Sequence, residues 1–102
     1  MSGVLTVRVI QRGEVFTPRL AYTYDSQASP EPSDAYARTH DLTAAVWRAQ
    51  KGQPWEVRPA TGRDERGRLY CGAEVVLDTH TFEAAERAQA VLARLALAMG
   101  AK

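Results

Sequence analysis

Two histidines, one cysteine and a scattering of acids are the side chains of this chain best suited to chemistry, and they are thinly spread. His40 and His80 each follow a threonine, in THDLTAAVWRAQ (39–50) and THTFEAAERAQ (79–89). Zinc takes three or four N, S or O ligands. The chain could add only Cys71 and nearby acids such as Asp41 and Asp78, at none of the close Cys/His spacings that mark such sites. No metal site is expected, and both histidines read as polar residues at the mouth of a helix. Cys71 falls on the inward phase of a strand, where a free thiol behaves as a small hydrophobe and burial disfavours the reactive thiolate. Glu56 and Glu74 could face one another across a hairpin as paired acids, but carboxylates on a solvated sheet are commonplace. The run ATGRDERGR lacks the Gly-Lys-Ser/Thr ending of a phosphate-binding loop and leads into a strand. These readings lean away from an enzyme and call for no cofactor.

The elements that would position these residues follow from periodicity. VLTVRVI (4–10) alternates, with Leu5, Val7 and Val9 on one side and Thr6, Arg8 and Ile10 on the other. QRGE supplies a turn, and VFTPRLAYTY (15–24) resumes the alternation, with Phe16, Leu20, Tyr22 and Tyr24 on one face. Pro18 has no N–H for a ladder, so this strand is expected at an edge or with a bulge. DSQASPEPSD is rich in Ser, Pro and Asp, and residues 25–38 are expected as a mobile acidic loop. A helix of about three turns should start at Thr39 or Asp41, bury Leu42, Ala45, Val46 and Ala49, and stop before Gly52 and Pro54.

A second hairpin pairs PWEVRP, Trp55 and Val57 inward, with RLYCGAEVVLD (68–78), whose inward set is Leu69, Cys71, Ala73, Val75 and Leu77. ATGRDERG is the expected loop between them. A final helix runs from about Thr81 to Met99 with Ala85, Ala88, Leu92, Leu95 and Met99 as its apolar stripe, widened by Val91. The order ββαββα predicts a single α+β domain over 1–102: a two-layer sandwich of a four-stranded, mainly antiparallel sheet with two helices on one face. The two quoted stretches align with one gap, the pattern of either a duplicated half-domain or two helices of similar composition.

With the helices on one face, the other presents Thr6, Arg8, Thr17, Arg19, Thr23, Arg58, Arg68 and Tyr70, with Glu56 and Glu74 as its acids. Arg63 and Arg66 in the loop extend it, although Asp64 and Glu65 dilute it. Guanidinium groups suit phosphate and carboxylate, and Tyr70 offers a stacking plane, so this is the candidate binding face. Its alternatives are a solvated, salt-bridged sheet surface or a nucleic-acid platform. At 100° per residue, Trp47 points away from the buried side of its helix, and Leu97 lies on the charged side of the last helix. Both are candidate interface residues, and a homodimer is the expected state. Alternatively, Tyr36 and the acidic loop cover Trp47 within the chain.

The bulk numbers bound these readings. Thirteen basic and twelve acidic residues leave a net charge of +1, so general attraction to nucleic acid or anionic membrane is excluded and only a local patch could bind either. The opening MSGVLTVRVIQRGE carries no long apolar run, and no segment reaches the roughly 20 apolar residues of a membrane span. A cytoplasmic binding or assembly module, contacting protein more readily than nucleic acid and not contacting membrane, is the expected function; a nucleic-acid-binding protein is the alternative, and a small enzyme with an unidentified site the second.

Overall fold

The computed structural model describes residues 3–24 and 31–100. Its elements are β1 (Val4–Arg12), β2 (Val15–Thr23), α1 (Pro32–Ala49), β3 (Glu56–Arg63), β4 (Leu69–Val76) and α2 (Phe82–Ala98). All neighbouring strands are antiparallel, in the order β1-β2-β4-β3. Exchanging the two ββα halves leaves that order unchanged. The aligned Thr-His pairs, however, occupy different places: His40 lies well inside α1, whereas His80 precedes the N-cap of α2. Only His80 therefore sits at a helix mouth.

Each strand sends alternate side chains to the two faces. The inner face carries Leu20, Ala73, Val75 and Leu77, all buried, with half-buried Leu5, Val7, Val9 and Val57 packed beside them. α2 covers β1 and β2, while α1 covers β3 and β4. Leu42 and Val46 of α1 and Ala88 and Leu92 of α2 are fully buried in the layer between. Thr81 caps α2 by accepting the Ala84 N–H at 3.1 Å. Two details of the expected helix stripes differ: Ala49 and Met99 are exposed.

α1 begins at Pro32, not at Thr39 or Asp41. Proline at the first helical position lacks only an N–H that has no intrahelical partner there, and Asp34 in the first turn suits the positive end of the dipole. The hydroxyl of Thr39, a start candidate in the sequence, donates back to the Ala35 carbonyl at 2.8 Å, and that of Thr43 does the same to the Thr39 carbonyl at 2.7 Å. Residues 32–38 are thus helical rather than loop, while 25–30 lie outside the described residues.

β2 is an inner strand, despite Pro18. The Tyr24 N–H donates to the Leu69 carbonyl on the β4 side. Backbone groups of alternate residues point the same way, so Tyr22, Leu20 and Pro18 also face β4. Pairing with β4 spans only Arg19–Thr23, so the missing donor of Pro18 falls where the ladder has already ended. The second hairpin is also tighter than expected. β3 runs through Ala60–Arg63, and the turn is confined to residues 64–68.

Candidate functional site

The outer face of the sheet is built in rows set by register. One row is Arg8, Arg19, Glu74 and Arg58; the next is Thr6, Ala21, Gly72 and Ala60; a third ends in Tyr70 opposite Gly62. Glu56 is opposite Val76, so the two glutamates do not form a pair of acids.

Glu74 is the centre of the face. Arg19 donates Nε and Nη2 to its Oε2 at 3.0 and 2.8 Å, and Arg58 donates the same two atoms to its Oε1 at 3.2 and 3.1 Å. Four N–H groups occupy a carboxylate with about four lone-pair sites. Glu74 and Arg19 are only 9% and 6% exposed, which is exceptional for ions on an uncovered sheet face. The Arg19 guanidinium carbon also lies 3.9 Å from the Tyr70 ring centroid. One face of the expected stacking plane is therefore occupied by the chain's own cation.

Most of the remaining arginines of the candidate face also have partners for their side chains. Arg8 on β1 meets Glu65 of the β3–β4 turn at 2.7 Å, an ion pair that spans the sheet. The Arg68 Nε donates to Asp64 at 2.9 Å, placing Arg68 in the turn rather than on the strand face. Arg63 donates to the Gly67 carbonyl, and the Arg66 backbone N–H donates to Asp64. The sequence reading missed Asp64 and Glu65 as organisers. Asp64 had a local signal, an aspartate three residues before Gly67, which adopts φ 75° to close the turn.

Burial opposes ionisation of Asp64, but the Arg68 N–H and guanidinium and the Arg66 N–H together hold its carboxyl below the usual range. The hydrogen bond from Arg8 does the same for Glu65 and in turn holds the Arg8 guanidinium more firmly protonated. A lowered folded-state pKa gives a stabilisation that is present above the ordinary carboxylate pKa. It is lost as pH falls through the folded value. The Arg66 and Arg68 amide shifts should therefore titrate with a midpoint below the ~3.9 of a free aspartate. NMR titration checks this, and a midpoint at or above that value would show an unanchored turn.

The other chemistry-bearing residues lie apart from this face. Cys71 is 1% exposed on the inner side, next to Tyr22 in register. Burial raises the pKa of the nearby Tyr24 phenol, whose oxygen has no hydrogen-bond partner among the described residues. His40 is exposed, with Asp41 at 3.8 Å. No group of three or more metal-binding side chains occurs among the described residues. No described helix is long and apolar enough to cross a membrane.

Trp47 is 62% exposed, and Tyr36 on the same helix is 76% exposed rather than covering it. Two hollows lie along this face of α1. One, of about 450 Å³, is lined by His40, Thr43, Ala44, Trp47 and Arg48; the other, of about 240 Å³, by Tyr36, Thr39, His40, Thr43 and Pro59. Their common residues His40 and Thr43 join them into one strip. Leu97 is exposed on α2 and lines neither hollow. No family model matches the chain, and no curated protein or solved structure matches it.

Proposed function

We propose that this protein is a small, non-catalytic binding and assembly module that is homo-oligomeric and meets protein rather than nucleic acid. The observation that carries the reading is the aromatic strip of α1. Tyr36 and Trp47 stand exposed at either end of two hollows that share His40 and Thr43. Large aromatics without intramolecular cover are characteristic of protein contact surfaces, and a domain of this size gains stability by pairing.

The outer sheet face supports the same choice. Its Arg8, Arg19 and Arg58 side chains, and that of Arg68 in the adjoining turn, are paired with Glu65, Glu74 and Asp64. A phosphate backbone would have to compete with those carboxylates for each cation. A base would have to compete with Arg19 for one side of Tyr70.

Light scattering combined with fluorescence anisotropy on labelled single- and double-stranded DNA and RNA tests the proposal. An oligomer with no salt-sensitive binding is expected. A monomer whose affinity falls steeply with salt would replace this reading with nucleic-acid recognition through the arginine face.

A further inference from the structure

The two free edges of the sheet are built differently. On β3, the Asp64 N–H donates across the turn to the Arg68 carbonyl. Counting back in the unbroken register, Gly62, Ala60 and Arg58 direct their backbone groups to β4. Val57, Pro59, Thr61 and Arg63 therefore face outward. Pro59, in the middle of this edge, offers no donor, a recognised means of blocking strand addition.

On β1 the same counting gives the opposite result. Tyr22 and Leu20 of β2 face β4, so Thr17, Arg19, Ala21 and Thr23 face β1 and bond Ile10, Arg8, Thr6 and Val4. Leu5, Val7, Val9 and Gln11 are left facing outward, each with both donor and acceptor. Among the described residues no strand pairs on that side. Leu5, Val7 and Val9 are only half-buried, although they belong to the inner face. Val4 on the outer face is 67% exposed. An unblocked nine-residue edge with apolar side chains is a template for another strand.

We propose that a second copy of this chain occupies the edge, pairing β1 with β1 antiparallel so that Val7 lies opposite its symmetry mate. The inference takes the chain to be homo-oligomeric, as proposed above, and assigns the surface. A two-fold interface requires that where residue i meets j, j also meets i. The strand VLTVRVI satisfies this about Val7: Leu5 meets Val9, Val4 meets Ile10 and Thr6 meets Arg8. Like meets like on both faces, and Val7 has the outward backbone groups needed at the centre of a hydrogen-bonded pair. Centring on Arg8 instead would set two guanidinium groups opposite one another, and centring on Val9 would set valine against Gln11. The four strands of each copy join in one continuous sheet with all helices on one side, and the seam covers Leu5, Val7 and Val9.

Two measurements test this. Val7→Pro removes an N–H that has no partner among the described residues, leaving the β1–β2 ladder intact. The dimer dissociation constant should rise about a hundredfold with an unchanged far-UV spectrum. For register, Val4→Cys chains are mixed with Ile10→Cys chains and oxidised. The two residues form a non-hydrogen-bonded pair with Cα atoms about 4.5 Å apart, within disulfide reach. Two copies of residue 4 stand roughly 20 Å apart. The mixture should cross-link and neither variant alone should, with the buried Cys71 taking no part.

A wild-type protein that stays monomeric would overturn both this assignment and the homo-oligomeric reading. A dimer that gives no 4-to-10 cross-link, and is dispersed by Trp47→Arg rather than Val7→Pro, would overturn only the β1 assignment.

Discussion

Glu74→Ala should destabilise the fold by roughly 3–5 kcal/mol, because it strands a buried guanidinium. The Arg19 side chain is 7% exposed and directs two N–H groups at a carboxylate that is itself 11% exposed. Removing the acid leaves those donors without their acceptor where water enters poorly. Arg58 contributes far less, since its side chain is 53% exposed and solvent replaces the lost partner. Arg58→Ala should cost no more than about 1 kcal/mol. Replacing both buried ions by similarly shaped apolar residues, as in Arg19→Met with Glu74→Leu, should recover most of the loss. Urea titrations monitored by tryptophan fluorescence measure all of these, with an unchanged slope showing that stability alone has moved. Total stabilities of single domains lie near 5–15 kcal/mol, so the Glu74→Ala chain should stand close to unfolding at room temperature. A loss below about 1 kcal/mol would mean that water already reaches the pair.

The same cluster shows what could be read from the sequence. The side of the sheet that each strand residue faces was legible, because the alternation in VLTVRVI and LYCGAEVV, although rough in the first, is local. The four strands and two helices followed from it. Pairings between strands were not legible, because they depend on register between distant segments. Arg19 and Glu74 are 55 residues apart, and nothing near either announces the other. Without that register, an arginine-bearing face reads as either a salt-bridged surface or a binding platform; with it, Arg8, Arg19 and Arg58 are each assigned an acid of the chain itself. Pro18 misled for the same reason, since its fitness for an inner strand depends on where β4 stops. The start of α1 was hidden by composition. PSDAYAR follows an acidic Ser/Pro run, and the helix signal of Pro32 at the first position was outweighed by the disorder signal of its neighbours. The exposure of Trp47 was legible because it depends only on helical periodicity.

Gly72→Val is expected to rank with Glu74→Ala among the most damaging single changes on the outer face, costing at least about 3 kcal/mol. Gly72 lies between Ala21 and Ala60 in the middle of the sheet. A Cβ there would come within 2.5 Å of the Ala21 Cα and 2.8 Å of its Cβ, and would collide with the Leu20 carbonyl oxygen. These are largely atoms of the β2 backbone, so no rotamer change makes room and the central pairing must open. The row is small for a second reason. Arg19 starts opposite Glu74, yet its guanidinium also lies over the ring of Tyr70, four residues back along β4. It must cross above Ala21 and Gly72 to do so, and a branched side chain at position 72 would lift it away from both partners. Gly62→Ala provides the contrast. Its Cβ would meet the Tyr70 hydroxyl at 2.9 Å, the far end of a side chain that can swing aside. That change should cost only about 1 kcal/mol. At roughly 4–8 °C per kcal/mol for a domain of this size, calorimetry should separate the two variants by more than about 8 °C. Equal melting points would show that β2 and β4 part as easily as Tyr70 turns, and the close-packed centre assigned to Gly72 would fall.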